Sequence, residues 1–265
     1  MADEEEIRNI RVNGDGFGVA WYNSDDPEEG ACSMKFITPA WSNGNLRDIS
    51  DHIYSSVIFG HVRAASHDFY DPEFNPTVVC YENCHPFKYG RWTFMHNGCI
   101  PVFPQVKLFI MNIISQDLFT HLAGSTDSEH VFALFLHILG KERRRDEYEM
   151  GVDELVTAVE VTISVVLQLI EFCGSNVPSS LNMCFTNGTH IVTSRFRGST
   201  QTREDPPSLY FATGAEYLPE NGYFEDNVSP KCEDHLSCSV TSLGSDLSSE
   251  TERARSLSIQ HNDCE

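Results

Sequence analysis

The apolar residues of this chain change their period twice, and that change restricts the fold more than any other feature of the sequence. The early ones fall in short runs: Gly16-Phe-Gly-Val-Ala-Trp-Tyr22, Ser56-Val-Ile-Phe-Gly-His-Val62 and Arg91-Trp-Thr-Phe-Met-His96. Runs of this length, rich in aromatic and β-branched residues and bounded by Gly, Asn and Asp, read as strands. The spacing then becomes helical, first at Val131, Phe132, Phe135 and Leu136, then at Leu155, Val159, Ile163, Val166 and Ile170. Short runs return at 181–185 and 190–194 around Asn187-Gly188, the signature of a hairpin. Strands, then helices, then strands imply helices layered against antiparallel sheets, an α+β arrangement.

Finer expectations follow from the punctuation. Residues 32–38 read as the returning strand of a first hairpin, 45–54 as a short helix, 64–81 as a long loop, and Asn97-Gly98 as the turn that ends the strand at 91–96. A helix over 104–114 carries Pro in its first turn. Another over 126–139 has Thr126 and Glu129 as a capping box and Gly140 as its stop. A third, over 154–172, is capped by Asp153 and ended by Gly174, and 209–213 reads as a last short strand.

Composition excludes several classes. The 265 residues suffice for one large domain or two small ones. Eighteen Lys and Arg against 39 Asp and Glu leave a net charge of −21, which repels a phosphate backbone, so no nucleic-acid partner is expected. No uninterrupted apolar run of about 18 residues occurs, so no membrane span is expected. The start, Met1-Ala-Asp-Glu-Glu-Glu6, has no apolar segment of a secretory signal, and nine cysteines are an odd, scattered set. Both point to reduced thiols and a cytoplasmic location. Residues 1–12 read as an acidic lead, 13–226 as the folded domain, and 227–265, rich in Ser, Asp and Glu, as a disordered tail.

Four segments carry chemistry: Asn13-Gly-Asp-Gly-Phe-Gly18, His61-Val-Arg-Ala-Ala-Ser66, Asn83-Cys-His-Pro-Phe87 with Met95-His-Asn-Gly98, and Gly124-Ser-Thr-Asp-Ser-Glu129. Each alone has a plain reading. The first precedes a strand rather than opening a helix, so it is no dinucleotide loop. Arg63 alone is a structural ion-pair partner. Asp127 suits the first turn of a helix in any protein. Trp41 reads as core. Cys80, Cys84, His85, His96 and Cys99 form an imperfect zinc-ligand spacing, a separate alternative.

Taken together and in this order, the segments resemble the class II glutamine amidotransferases. More narrowly, they look like the amidotransferase-type subunit of the fungal glutathione-degradation complex and its bacterial relatives. The resemblance runs from Asn13 to Thr213 and includes Thr38-Pro-Ala-Trp41 and Phe132-Ala-Leu-Phe135. It implies a four-layer αββα N-terminal-nucleophile hydrolase sandwich. It also implies hydrolysis or transfer at a γ-glutamyl amide, with glutathione or glutamine as substrate, no cofactor or metal, and a metallopeptidase-like partner subunit.

By the same resemblance, Arg63 holds the substrate α-carboxylate, which its planar fork matches. Asp127 meets the α-ammonium. The Asn97 side-chain amide and the Gly98 backbone N–H face the oxyanion. The family's nucleophile is an N-terminal cysteine whose own α-amine is the base. This sequence starts Met1-Ala2 with twelve residues ahead of Asn13, so the nucleophile and the first core strand are expected to be absent and the polypeptide inactive. Cys84 and Cys99 lie near the expected site, but neither has an α-amine, and neither is expected to substitute. The alternatives stay open: a hydrolase whose start lies upstream, a non-catalytic binding or regulatory variant, or a zinc module.

Overall fold

The first apolar run forms the middle of a sheet. β1 (Phe17–Tyr22) lies between two antiparallel partners, β2 (Ala31–Phe36) and β3 (Ile58–Val62). This computed structural model describes residues 13–23, 30–65, 78–140 and 151–209, with backbone alone at 217–218, 223–224 and 238–242. A second sheet has six strands: β4 (Phe87–Tyr89), β5 (Trp92–Cys99), β6 (Ser179–Thr186), β7 (His190–Ser194), β8 (Arg197–Gly198) and, after the two-stranded ladder β9 (Tyr217–Leu218) and β10 (Tyr223–Phe224), β11 (Cys238–Ser242). Its neighbours run β11-β7-β6-β5-β4, with β8 on β6.

The two sheets meet face to face. Ala20, Tyr22, Ala31, Val57 and Phe59 form a small buried cluster that packs on Met95, Cys184 and Ile191 of the larger sheet. Tyr22 pins this contact: its hydroxyl lies 2.6 Å from the Arg91 carbonyl, 2.7 Å from Thr93 Oγ1 and 3.1 Å from the Thr186 carbonyl. Burial pushes its pKa up to about 12, so the phenol stays a donor. The β6–β7 turn must pass the same ring. Gly188 takes φ +90°, and a Cβ there would come within 2.5 Å of the Tyr22 ring, which leaves glycine as the residue that fits.

The other face of the larger sheet carries the helices and the main core. They are α2 (Phe103–Ile113), α3 (Gln116–His121), α4 (Asp127–Gly140) and α5 (Val152–Phe172), while α1 (Gly44–Ser50), which lies between β2 and β3 in the chain, buries no residue and takes no part in this core. The rings of Phe94 on β5 and Phe185 on β6 lie 4.5 Å apart, tilted, and meet Phe132 and Phe135 of α4 at 5.3 and 4.1 Å. Behind α4, α5 buries Leu155, Val159, Ile163, Val166 and Ile170, the residues whose spacing predicted it. By length and composition α5 could cross a membrane; half of that stretch is buried inside the protein.

Several expectations need correction. Asn97-Gly98 is not a turn: both residues continue β5, paired with Asn182 and Leu181. The β4–β5 turn is at Gly90, φ +54°, and β5 leads to a helix, so an Asn-Gly hairpin has no strand to return to. Thr126 and Glu129 form only half of a capping box. Thr126 Oγ1 accepts from the Glu129 N–H, while the Glu129 carboxylate reaches back to the N–H groups of Ala123 and Gly124. At α5 the reaching residue is Glu154, which accepts from the Gly151 N–H, and Asp153 lies inside the first turn. Trp41 is 67% exposed rather than core. Within the stretch read as a disordered tail, Cys238–Ser242 pairs with β7, whose outer edge would otherwise be open. The helix α3 was not anticipated. Most of the strand expected at 209–213, and of the loop at 66–77, lies outside the described residues.

Candidate functional site

Arg63 follows the last residue of β3. The β1–β3 pairing continues past the strands: the Arg63 N–H donates to the Gly16 carbonyl, and the Asp15 N–H to the Arg63 carbonyl. Inward and outward positions alternate along a strand. Arg63 therefore shares the inner face with Phe59 and His61, and is 4% exposed. Its guanidinium donates to the Asp15 and Val78 carbonyls, each at 3.3 Å. Among the described residues no carboxylate pairs with it.

Asn97 and Gly98 lie near the C-terminal end of β5 and are both exposed. β4 pairs with β5 only as far as Phe94, so beyond it the edge away from β6 has no strand partner among the described residues. His61 of β3 docks on that edge, its Nε2 donating to the His96 carbonyl at 3.3 Å. Backbone groups two residues apart on a strand point the same way. The Gly98 N–H thus opens on the same edge as the His96 carbonyl. A side chain at 98 would not fit: a Cβ would lie 1.9 Å from the Ser180 carbonyl oxygen and 2.6 Å from His96 Nε2.

Asp127 opens α4 and is tied to the end of β5. Its carboxylate accepts from the Ile100 N–H at 3.0 Å and from the Ser128 N–H at 2.7 Å. Ser128 Oγ lies 3.0 Å from Nδ1 of His96, whose Nε2 donates to the Ser180 carbonyl. The sequence singled out four residues, and the fold links them through others. Asn83 is the main link: its Nδ2 donates to the Val78 carbonyl that Arg63 also uses, and its Oδ1 accepts from the Ser125 N–H. Glu129 fixes the preceding two residues of that loop. Arg63, the Gly98 edge and Asp127 thereby belong to one hydrogen-bonded frame. Asn83 and Glu129 were inside quoted motifs, but nothing in a motif says which backbone N–H a side chain will reach.

Two histidines fill the space between the sheets. The rings of His61 and His85 lie 4.1 Å apart. Burial lowers the His61 pKa to about 4 and holds His85 well below its usual value, so both are neutral. Neither ring nitrogen of His85 has a hydrogen-bond partner among the described residues. The thiol of Cys84 donates to the Phe36 and Cys80 carbonyls, and burial raises its pKa in spite of the Arg63 and Lys35 charges. A reactive cysteine needs the opposite shift. Burial likewise raises Cys184, to about 12. The zinc set is not assembled: among the described residues no three His, Cys, Asp or Glu side chains converge to hold a metal.

The comparisons with known proteins agree on one family. Residues 6–207 match the model of the class-II glutamine amidotransferases, a stretch that starts ahead of Asn13, inside the part read as a lead. A curated relative from Saccharomyces cerevisiae, named as the probable glutamine amidotransferase DUG3, is 36% identical over 220 residues. That match takes in 80% of this chain and 58% of the relative, so the chain spans well under two thirds of the yeast protein's length. Among solved structures, a class-II glutamine aminotransferase domain protein from Silicibacter pomeroyi superposes with a TM-score of 0.53 at 26% identity, over 80% of this chain and 83% of that one. A matched stretch covering most of the chain, together with the α+β sandwich described above, shows that this chain belongs to the class II glutamine amidotransferases.

Proposed function

We propose that this chain binds the γ-glutamyl head of glutathione or glutamine and stabilises the oxyanion formed at the γ-carbonyl, the binding half of a γ-glutamyl amide hydrolase site. The observation that carries this reading is Arg63: a buried guanidinium with two long bonds to carbonyls and no acid partner among the described residues. An unmatched buried charge costs several kcal/mol. A substrate α-carboxylate would offset that cost through a two-pronged contact. In the same reading Asp127, with lone pairs left over, takes the α-ammonium. The Asn97 amide and the Gly98 N–H take the oxyanion.

Attack requires an activated thiol, and Cys84 with its raised pKa is not one. We assign attack to the N-terminal cysteine that the family chemistry uses. The subfamily resemblance favours glutathione, in its breakdown beside a metallopeptidase-like subunit. Calorimetric titration tests the binding half. Glutathione and glutamine should bind, while 4-aminobutanamide, which lacks only the α-carboxylate of glutamine, should bind about thirtyfold or more weakly. Equal binding of 4-aminobutanamide would overturn the assignment of Arg63. Glutamate release by protein starting at Ala2 would overturn the assignment of the nucleophile.

A further inference from the structure

On the side of α4 away from the Asp127–Ile100 contact, a cavity of about 320 Å³ opens between β2, β4, α3 and α4. None of Arg63, Asn97, Gly98 and Asp127 lines it. Its floor is apolar and comes from three elements: Phe87 of β4, Leu118 of α3, and Phe132 and Leu136 of α4. Over the floor stands Lys35, half-buried, with its ammonium 4.8 Å from the centre of the Tyr81 ring and 5.5 Å from that of Phe87.

The charged groups around Lys35 are already engaged. Lys88 donates to the Ala31 carbonyl at 2.8 Å. Both carboxylate oxygens of Glu129 accept backbone N–H groups, at 2.9 and 2.8 Å. The Glu82 carboxylate is held by its own backbone N–H and by Cys80. His121 Nε2 lies 3.3 Å from the Lys88 carbonyl. Lys35 alone in this set gives no hydrogen bond to an acceptor among the described residues. Two aromatic faces steady its charge without satisfying its three N–H donors.

We propose that this cavity is a binding site for a small amphipathic monocarboxylate, whose carboxylate sits on Lys35 Nζ and whose apolar body covers the Phe87, Leu118, Phe132 and Leu136 floor. The volume falls in the range of small-molecule sites, roughly 300–1,000 Å³, and an apolar floor with a few polar groups around it, of which Lys35 alone has donors to spare, is the usual make-up of such sites. Burial lowers the pKa of Lys35, and an anion at its tip would push it back up. The site is separate from the one proposed for the γ-glutamyl group and does not depend on that reading.

The test is an NMR titration of the isotope-labelled full chain with phenylacetate, and with its neutral isostere phenylacetamide. Phenylacetate should give saturable shifts at Lys35, Leu118 and Ala123. Phenylacetamide should bind about ten- to a hundredfold more weakly, the span expected for a charge-assisted hydrogen bond. Lys35→Met should weaken phenylacetate by a similar factor. Should that variant fail to fold, Ala133→Leu, which fills the floor and leaves the ammonium in place, must abolish binding. The proposal is overturned by equal binding of the amide, by a preference for benzylamine, by unchanged phenylacetate affinity in a folded Lys35→Met, or by no saturable shift. Competition with glutathione would also overturn it, since the two sites would then be one.

Discussion

Replacing Arg63 with Met separates the two roles an arginine can play here. In a structural role, the guanidinium contributes through its contacts, and these are weak. Its two hydrogen bonds are 3.3 Å long, at the outer limit of good geometry, so each contributes at most about 1 kcal/mol. The Val78 carbonyl would keep its 2.8 Å bond from Asn83, so only the Asp15 carbonyl loses this donor. Against this loss stands relief from a buried charge with no acid partner among the described residues, worth several kcal/mol, while Met keeps much of the stem's volume. The unfolding free energy should therefore change by less than about 2 kcal/mol, and the balance favours stabilisation. In the binding role, the two-pronged contact with an α-carboxylate is lost. That costs about 2–4 kcal/mol, or roughly thirty- to a thousandfold in Kd for glutathione. Urea unfolding and calorimetric titration on the same preparation read both numbers. A loss of stability of about 3–5 kcal/mol with glutathione affinity intact would show that Arg63 holds the loops rather than the ligand, and the reasoning would fail.

Further consequences can be checked with the same assays. Gly98→Ala drives a Cβ to within 1.9 Å of the Ser180 carbonyl, so β5 and β6 must part; a loss of about 1–3 kcal/mol, or roughly 2–12 °C in Tm, is expected. Phe94→Ala removes a fully buried ring from between Phe132 and Phe185, and should cost about 3–5 kcal/mol by urea unfolding. Glu129→Gln leaves one carbonyl oxygen for two N–H groups of the Ala123–Gly124 turn, so stability should drop by about 1–2 kcal/mol and glutathione should bind less tightly. On acidification the neutral His61 must take up a proton. Its folded pKa, about 4, lies below the ordinary histidine value of 6.5, so the unfolded chain binds more protons between those values. Stability is then full above pH 6.5 and falls through the window down to pH 4, by about 3 kcal/mol for this residue alone. Unfolding curves at pH 7 and pH 4.5 should show that slope, and His61→Phe should flatten it.

Much of the fold was legible because its periods are clean. The residues that gave α5 its 3.6 spacing are the ones it buries, and Asn187-Gly188 turns where its chemistry requires, under the Tyr22 ring. The departures share a cause: a local signal does not carry the element that follows it. Asn97-Gly98 carries hairpin chemistry, but its neighbour in space is Ser180, eighty-odd residues on, and the chain proceeds into a helix. Strand pairing is a long-range property, and it overrides a two-residue turn preference. Trp41 has core composition, yet it sits in a one-turn helix that buries nothing, and its ring lies over Gly14 instead. Cys238–Ser242 looked like tail because Ser and Thr dominate it; the open edge of β7 supplies the hydrogen bonds that composition does not predict.

The candidate site divides along a similar line. Residue types announce chemistry, so Arg63, Asn97, Gly98 and Asp127 could be named from motifs. Their support could not, because it consists of side chains bonded to backbone groups far along the chain: Asn83 to Ser125, Glu129 to Ala123 and Gly124, His61 to His96. Such bonds leave no mark in local spacing. They also explain why a plain reading of each residue fails. Asp127 is more than a helix-opening acid, since its carboxylate also clasps the end of β5 through Ile100. Arg63 has no ion-pair partner among the described residues, and its buried guanidinium reaches only two backbone carbonyls. A frame that commits its backbone so fully, yet among the described residues leaves one guanidinium without an acid and the Gly98 edge without a strand, has the two features that a ligand with a carboxylate and a polarised carbonyl would complete.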